Sequence, residues 1–124
     1  MLLALPGVLL AAKDSSTVRG KLGAGRKLGS VTLDGDEQVR LVLDDERLFG
    51  ADIEIQGTPQ ADGKFLADPI HLKPVYIYRK GQRLGVSYWC GVCYIRTYAP
   101  GKCWCCQEYT ELDPKDPNTP DRKP

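Results

Sequence analysis

Short runs of alternating apolar and polar residues begin at residue 17. TVRGKL at 17–22 alternates, and Gly23, Gly25 and Gly29 break the pattern behind it. SVTL at 30–33 is short and β-branched, closed by Asp34, Gly35 and Asp36. VRLVL at 39–43 alternates again, which predicts a third strand. DDERLFG at 44–50 reads as one helical turn: acids open it, where they suit the dipole, and Gly50 ends it. ADIEIQG at 51–57 places Ile53 and Ile55 on one face. KFLADPIHL at 64–72 predicts a fifth strand, with Pro69 marking an edge or a bulge. PVYIYRKGQRLGVSYW at 74–89 then reads as a β-hairpin turning around Lys80, Gly81 and Gln82.

Five short strands with a small helical element between the third and fourth predict an all-β fold, a Greek-key barrel of the OB type. A β-sandwich fragment has the same periodicity and stays open at this level. The segments VRGKL, SVTLDG, VRLVLDDERLFGADIEIQG and KFLADPIHL resemble the small OB-like domains of exported bacterial proteins. Both ends depart from this pattern. LLALPGVLLAA at 2–12 is too short to span a bilayer and matches the apolar core of a signal peptide, although no Lys or Arg precedes it. DPKDPNTPDRKP at 113–124 has no aliphatic or aromatic residue and predicts a disordered tail. The expected organisation is an apolar N-terminal segment or signal-peptide remnant at 1–12, a barrel at 13–72, a hairpin with a Cys-rich knuckle at 73–112, and the tail at 113–124. On this reading the chain is exported, periplasmic or secreted; without a signal remnant it is cytoplasmic.

Composition sharpens the contrast between the two central regions. The 124 residues carry a formal net charge of +1, so the surface as a whole does not attract nucleic acid. Residues 31–62 hold nine acids against Arg40 and Arg47, which would repel phosphate from the barrel. Residues 73–109 hold eight of the ten aromatics and all five cysteines. Residues 73–102 hold six basic side chains and no acid. That basic, aromatic stretch leaves single-stranded nucleic acid as one alternative partner. His71 is the only histidine, so no scheme that needs two is open. GKLGAGRKLG at 20–29 lacks Walker spacing and reads as a loop.

The cysteines carry the chemistry. Cys90, Cys93, Cys103 and Cys106 give C-x2-C-x9-C-x2-C, the spacing of a compact zinc ribbon. Each C-x2-C turn sets two thiolates on one side of a metal. Residues 99–101 (APG) supply the turn that returns the second pair. Four thiolates close a tetrahedron, so the site is structural; zinc is the expected ion, with iron second. The complex carries net charge −2, which Arg96 and Lys102 would help neutralise. Cys105 is the surplus: a substitute ligand for Cys103 or Cys106, or a free thiol. Export would make disulfides the rival arrangement. WCGVC at 89–93 also resembles the thioredoxin active-site motif, with Val92 where that family has Pro, which implies thiol–disulfide chemistry through Cys90 and Cys93. The next residues, YIRTY at 94–98, are strand-like, without the helix that chemistry uses.

The segment YWCGVCYIRTYAPGKCWCCQEYTELD, with LDGDE, DDERLFGAD and DPIH, resembles small exported bacterial proteins that pair a short OB-like barrel with a Cys-rich end. The resemblance implies that architecture over 17–112 and supplies no activity. The expected role is binding rather than catalysis. A rigid metal-held loop would present Tyr94, Arg96, Tyr98 and Trp104 to a protein or cell-envelope partner. Alternatively, these aromatics shield the metal and pack on the barrel.

Overall fold

A computed structural model describes residues 16–118. The apolar segment at 2–12 and the last residues of the proline-rich tail lie outside them. The barrel is built from β1 (Ser16–Gly23), β2 (Lys27–Leu28), β3 (Val31–Asp34), β4 (Asp52–Pro59) and β5 (Phe65–Ala67). Hydrogen bonding closes them in the ring β1–β2–β3–β5–β4–β1. The one parallel pair is β3 with β5, through Leu33 opposite Phe65. The helix α1 (Glu37–Leu43) lies between β3 and β4, and this is the OB arrangement. Leu22, Leu33, Val39, Leu43, Ile53, Ile55 and Phe65 fill the interior.

The expected third strand at 39–43 is α1 instead. The sequence fits both periods: 39, 41 and 43 for a strand, 39, 42 and 43 for a helix. Val39, Val42 and Leu43 are buried, while Leu41 is 48% exposed, so the helical stripe prevails. Asp36 decides it. Its carboxylate accepts the Val39 N–H at 2.8 Å as an N-cap. The same carboxylate accepts the Ile70 N–H at 3.0 Å. That second bond, with Pro69 beside it, ends β5 at Ala67 and turns 70–72 into a 3-10 turn. His71 therefore sits exposed on a turn rather than in a strand.

Gly57 makes barrel closure achievable. A Cβ there would lie 2.1 Å from the Leu66 carbonyl oxygen and 2.8 Å from the Ala67 Cα, so no side chain fits where β4 crosses β5.

The hairpin β6 (Val75–Arg79) and β7 (Gln82–Gly85) extends the barrel sheet, because β6 pairs with β4 from Asp52 to Ile55. Lys80 and Gly81, both at positive φ, form its two-residue turn. Beyond it stands a smaller three-stranded sheet, ordered β10 (Glu111–Leu112), β8 (Tyr88–Cys90) and β9 (Ile95–Thr97).

Tyr88 joins the two parts. Its ring is fully buried in the barrel core, and its hydroxyl donates to Asp45 Oδ2 at 2.7 Å. Asp45 also caps Arg47 N–H at 3.0 Å and accepts its Nε at 2.9 Å. The acids at 44–46 thus include a seam anchor as well as a helical cap.

The start of the expected tail is held in place. Asp113 N–H bonds the Ser87 carbonyl at 2.8 Å, and Lys115 and Gly85 exchange backbone bonds at 2.6 and 3.0 Å. These are backbone partners, which composition does not register.

Candidate metal centre

Two short hairpins carry the cysteines. β8 and β9 pair from Tyr88–Thr97 to Cys90–Ile95, so the chain must reverse between Cys90 and Ile95. The second reversal is closed by the bridge between Lys102 and Tyr109. The two turns repeat one geometry. In the first, Tyr94 N–H bonds the Cys90 carbonyl at 2.9 Å and the Cys93 N–H bonds Cys90 Sγ at 3.4 Å. In the second, Gln107 N–H bonds the Cys103 carbonyl at 2.9 Å. Tyr94 and Gln107, one position past the second cysteine of each turn, have φ of 56° and 68°. Each chain reversal therefore passes through the left-handed region with a residue that is not glycine.

The turns face each other. The Sγ atoms of Cys90, Cys93, Cys103 and Cys106 all lie within 4.8 Å of one another, and Cys90 and Cys106 approach to 3.5 Å. Bonds of ~2.3 Å to a tetrahedral ion place sulfurs about 3.8 Å apart, so the four thiols fit a metal. A disulfide needs ~2.05 Å, and all five cysteines are free thiols. Cys90 and Cys103 are buried, and Cys93 and Cys106 half-buried. Cys105 is exposed and stands outside the group of four.

The electrostatics suit a cation. The Cys106 N–H, together with that of Cys105, pulls the Cys103 thiol down to about 7 against the burial that opposes it. Hydrogen bonding to the Cys105 thiol, burial and the other sulfurs push Cys93 well above the usual thiol range. The Glu108 N–H favours the Cys106 thiolate, but burial and the Cys90 thiol outweigh it and raise that group. Four crowded sulfurs share few negative charges on their own; a bound dication ionises them together.

Of the residues expected to face a partner, Tyr94 is 68% and Trp104 73% exposed. Tyr94 stacks on Trp89, with ring centroids 6.0 Å apart. Tyr98 is half-buried, with the Lys73 ammonium 4.7 Å from its ring centroid. Arg96 is a correction: its side chain is buried, so it is not presented to a partner. It turns inward because Ser87 Oγ, at 2.8 Å, and Asp113 Oδ2, at 3.1 Å, take its Nη1 donors. Val92 and Tyr109 are exposed beside these turns, and cysteine spacing does not single them out. Their position next to Cys93 and in the closing bridge is the signal that sequence offers.

Neither alternative gains support from the geometry. Cys90 ends a strand and is followed by a turn and β9, so it does not sit at a helix N-terminus as the thioredoxin nucleophile does. On the basic hairpin, Arg83 covers Tyr76 at 3.6 Å and Arg19 covers Tyr78 at 3.5 Å, occupying a ring face that a base would use. The cleft of about 270 Å³ at the barrel mouth is lined by Arg26, Arg40, Lys64 and Asp34. Arg40 is paired with Asp34 at 3.0 Å, and Arg26 lies 3.8 Å from Asp44. Comparison of the chain with protein-family models, curated proteins and solved structures finds no match, so the reading of this protein rests on an OB-like barrel carrying a four-cysteine group that can hold a metal ion.

Proposed function

We propose that the protein is a non-enzymatic binding module whose C-terminal lobe is held by a structural zinc ion on Cys90, Cys93, Cys103 and Cys106. One observation carries the reading: two turns of equal geometry bring four thiols within 4.8 Å of each other. When bound, the ion supplies a closed tetrahedral crosslink with no open position for substrate. The chain's own residues do the rest. N–H groups of the two turns support the sulfurs, and the exposed Tyr94 and Trp104 form a rigid aromatic surface for a partner protein. The apolar 2–12 segment supports export, and a mature N-terminus near Lys13 in the secreted protein would establish it.

Elemental analysis tests the metal. One zinc per chain is expected, lost in Cys90→Ser and Cys106→Ser and retained in Cys105→Ser. Native thiol titration should find Cys105 alone reactive, with all five thiols reacting after denaturation in chelator. Iron in place of zinc, or two disulfides, would refute the zinc assignment. Photo-crosslinking from position 104, with exposed Leu66 on the barrel as control, tests the binding surface. Crosslinks from both positions alike, or from neither, would remove it.

A further inference from the structure

The cleft at the mouth of the barrel shares no residue with the metal centre, and it gathers positive charge in an acidic region. Arg26 lines it from the turn between β1 and β2, Arg40 from α1, and Lys64 from the loop between β4 and β5. Asp34 is the one carboxylate in the lining. Residues 31–62 hold nine acids against Arg40 and Arg47, so a cationic cleft here runs against the local composition. The three cations come from three separate elements, and no short-range pairing pattern in the sequence accounts for their convergence.

These cations are only partly engaged. Arg40 bonds Asp34 at 3.0 Å through Nε alone, which leaves both terminal nitrogens open. Arg26 approaches Asp44 to 3.8 Å, beyond hydrogen-bond reach. Lys64 Nζ has no partner among the described residues; the neighbouring Asp62 accepts the Lys64 backbone N–H at 3.0 Å instead. The Arg26 and Arg40 side chains keep 34% and 51% of their surface open, so their donors are reachable. With Asp34 and Asp44 both counted, three cations face two carboxylates. Arg26 also has φ of 57°, a left-handed conformation that glycine adopts without cost. The chain keeps an arginine at that strained position, and strain of this kind gathers at ligand sites.

The cleft holds about 270 Å³ on the scale where one water needs ~10–15 Å³, far more than a bare ion fills. Two guanidinium forks and an ammonium suit a phosphate group, which carries about −1.5 to −2 charges on three exposed oxygens. We propose that the cleft binds a small phosphomonoester. Arg26, Arg40 and Lys64 hold the phosphate, and the remaining space takes the organic body.

Titration of the ¹⁵N-labelled full chain with glycerol phosphate tests this, with glycerol, sodium acetate and sodium chloride as controls at matched ionic strength. Saturable shifts of the Gly25, Arg26 and Lys64 amides are expected with glycerol phosphate alone, with the amides of 90–107 unmoved. Lys64→Met should weaken binding about tenfold, the loss of one charged hydrogen-bonding partner. Arg26→Gly should weaken it as much while its urea midpoint stays at or above the parent's, because glycine relieves the left-handed backbone. Lys80→Met, on the exposed turn of the β6–β7 hairpin, should bind as the parent does. The proposal is overturned by the absence of a saturable shift. Equal shifts with acetate or chloride, or Lys64 and Arg26 variants of parental affinity, overturn it too. Zinc content measured on the same samples keeps this result separate from the fate of the metal centre.

Discussion

The barrel and the metal lobe solve the same problem by different means. The barrel buries aliphatic side chains: thirteen of the fifteen residues in the main core come from before residue 80. Past Cys90, Cys103 is the only buried hydrophobic residue among the described residues. A segment of that size cannot cover enough apolar surface to fix its own backbone. Four thiols around one point take the place of a core, and a bound ion would provide the crosslink. The lesson is that stability here is local in kind. Hydrophobic burial holds one half, and the other half offers four thiols that can coordinate a metal ion, with Tyr88 and Asp45 between them.

The sharpest way to break the comparison is to remove the metal. Structural zinc contributes on the order of 10–16 kcal/mol to folding in small metal-held domains. Chelation, or Cys106→Ser, should therefore abolish hydrogen-exchange protection over 88–112 while the barrel stays folded. Uniform loss of protection across both regions would show that the two are one cooperative unit. Next comes Gly57→Ala, which forces a Cβ onto the Leu66 carbonyl. It should cost about 3 kcal/mol, read as a lower urea midpoint, without altering metal content.

Tyr88→Phe tests the seam. It leaves Asp45 Oδ2 without its hydroxyl donor and should destabilise by about 1–2 kcal/mol. The pH dependence comes from the same contact. Burial opposes the Asp45 charge, but the Arg47 side chain and the Tyr88 hydroxyl outweigh it and hold this carboxyl below its usual range. Its contribution is present in full above the unfolded value near ~4 and is lost as pH falls through the lower folded value. The acid limb of the parent's stability curve should therefore be steeper than that of Tyr88→Phe. The smallest effect is a gain. Gln107→Gly relieves a left-handed residue and should stabilise the lobe alone by about 0.5–1 kcal/mol, measured as slower metal release to a chelator.

Legibility from sequence divides along the same line. The cysteine spacing is a local pattern, and its geometry is set within two turns, so spacing alone picks out the four cysteines that cluster; it leaves Cys105 open as a substitute, and the structure places that residue outside the group of four. The barrel is legible as a class because its strands are punctuated by glycine and acid. Its third element is misread because positions 39–43 satisfy two periods at once, and the Asp36 cap that decides between them lies outside that window. Arg96 is misplaced for a different reason. Its acceptors, Ser87 and Asp113, lie on either side of it in the chain, and nothing near position 96 announces that they converge. The segment after Leu112 looks unable to fold because it has no apolar residue to bury; backbone bonds to Gly85 and Ser87 anchor its beginning instead.

Strand β8 is only three residues long, and both its ends are committed. Tyr88 and Cys90 project from the same side, two positions apart, one into oil-like packing and the other toward sulfur. So short a lever has no slack. Any shift of Cys90 as an ion arrives or departs is handed directly to the Tyr88 ring. Loss of an ion would then reach the barrel at one place, the Tyr88 ring and its bond to Asp45, while the aliphatic packing away from that strand keeps its own hold.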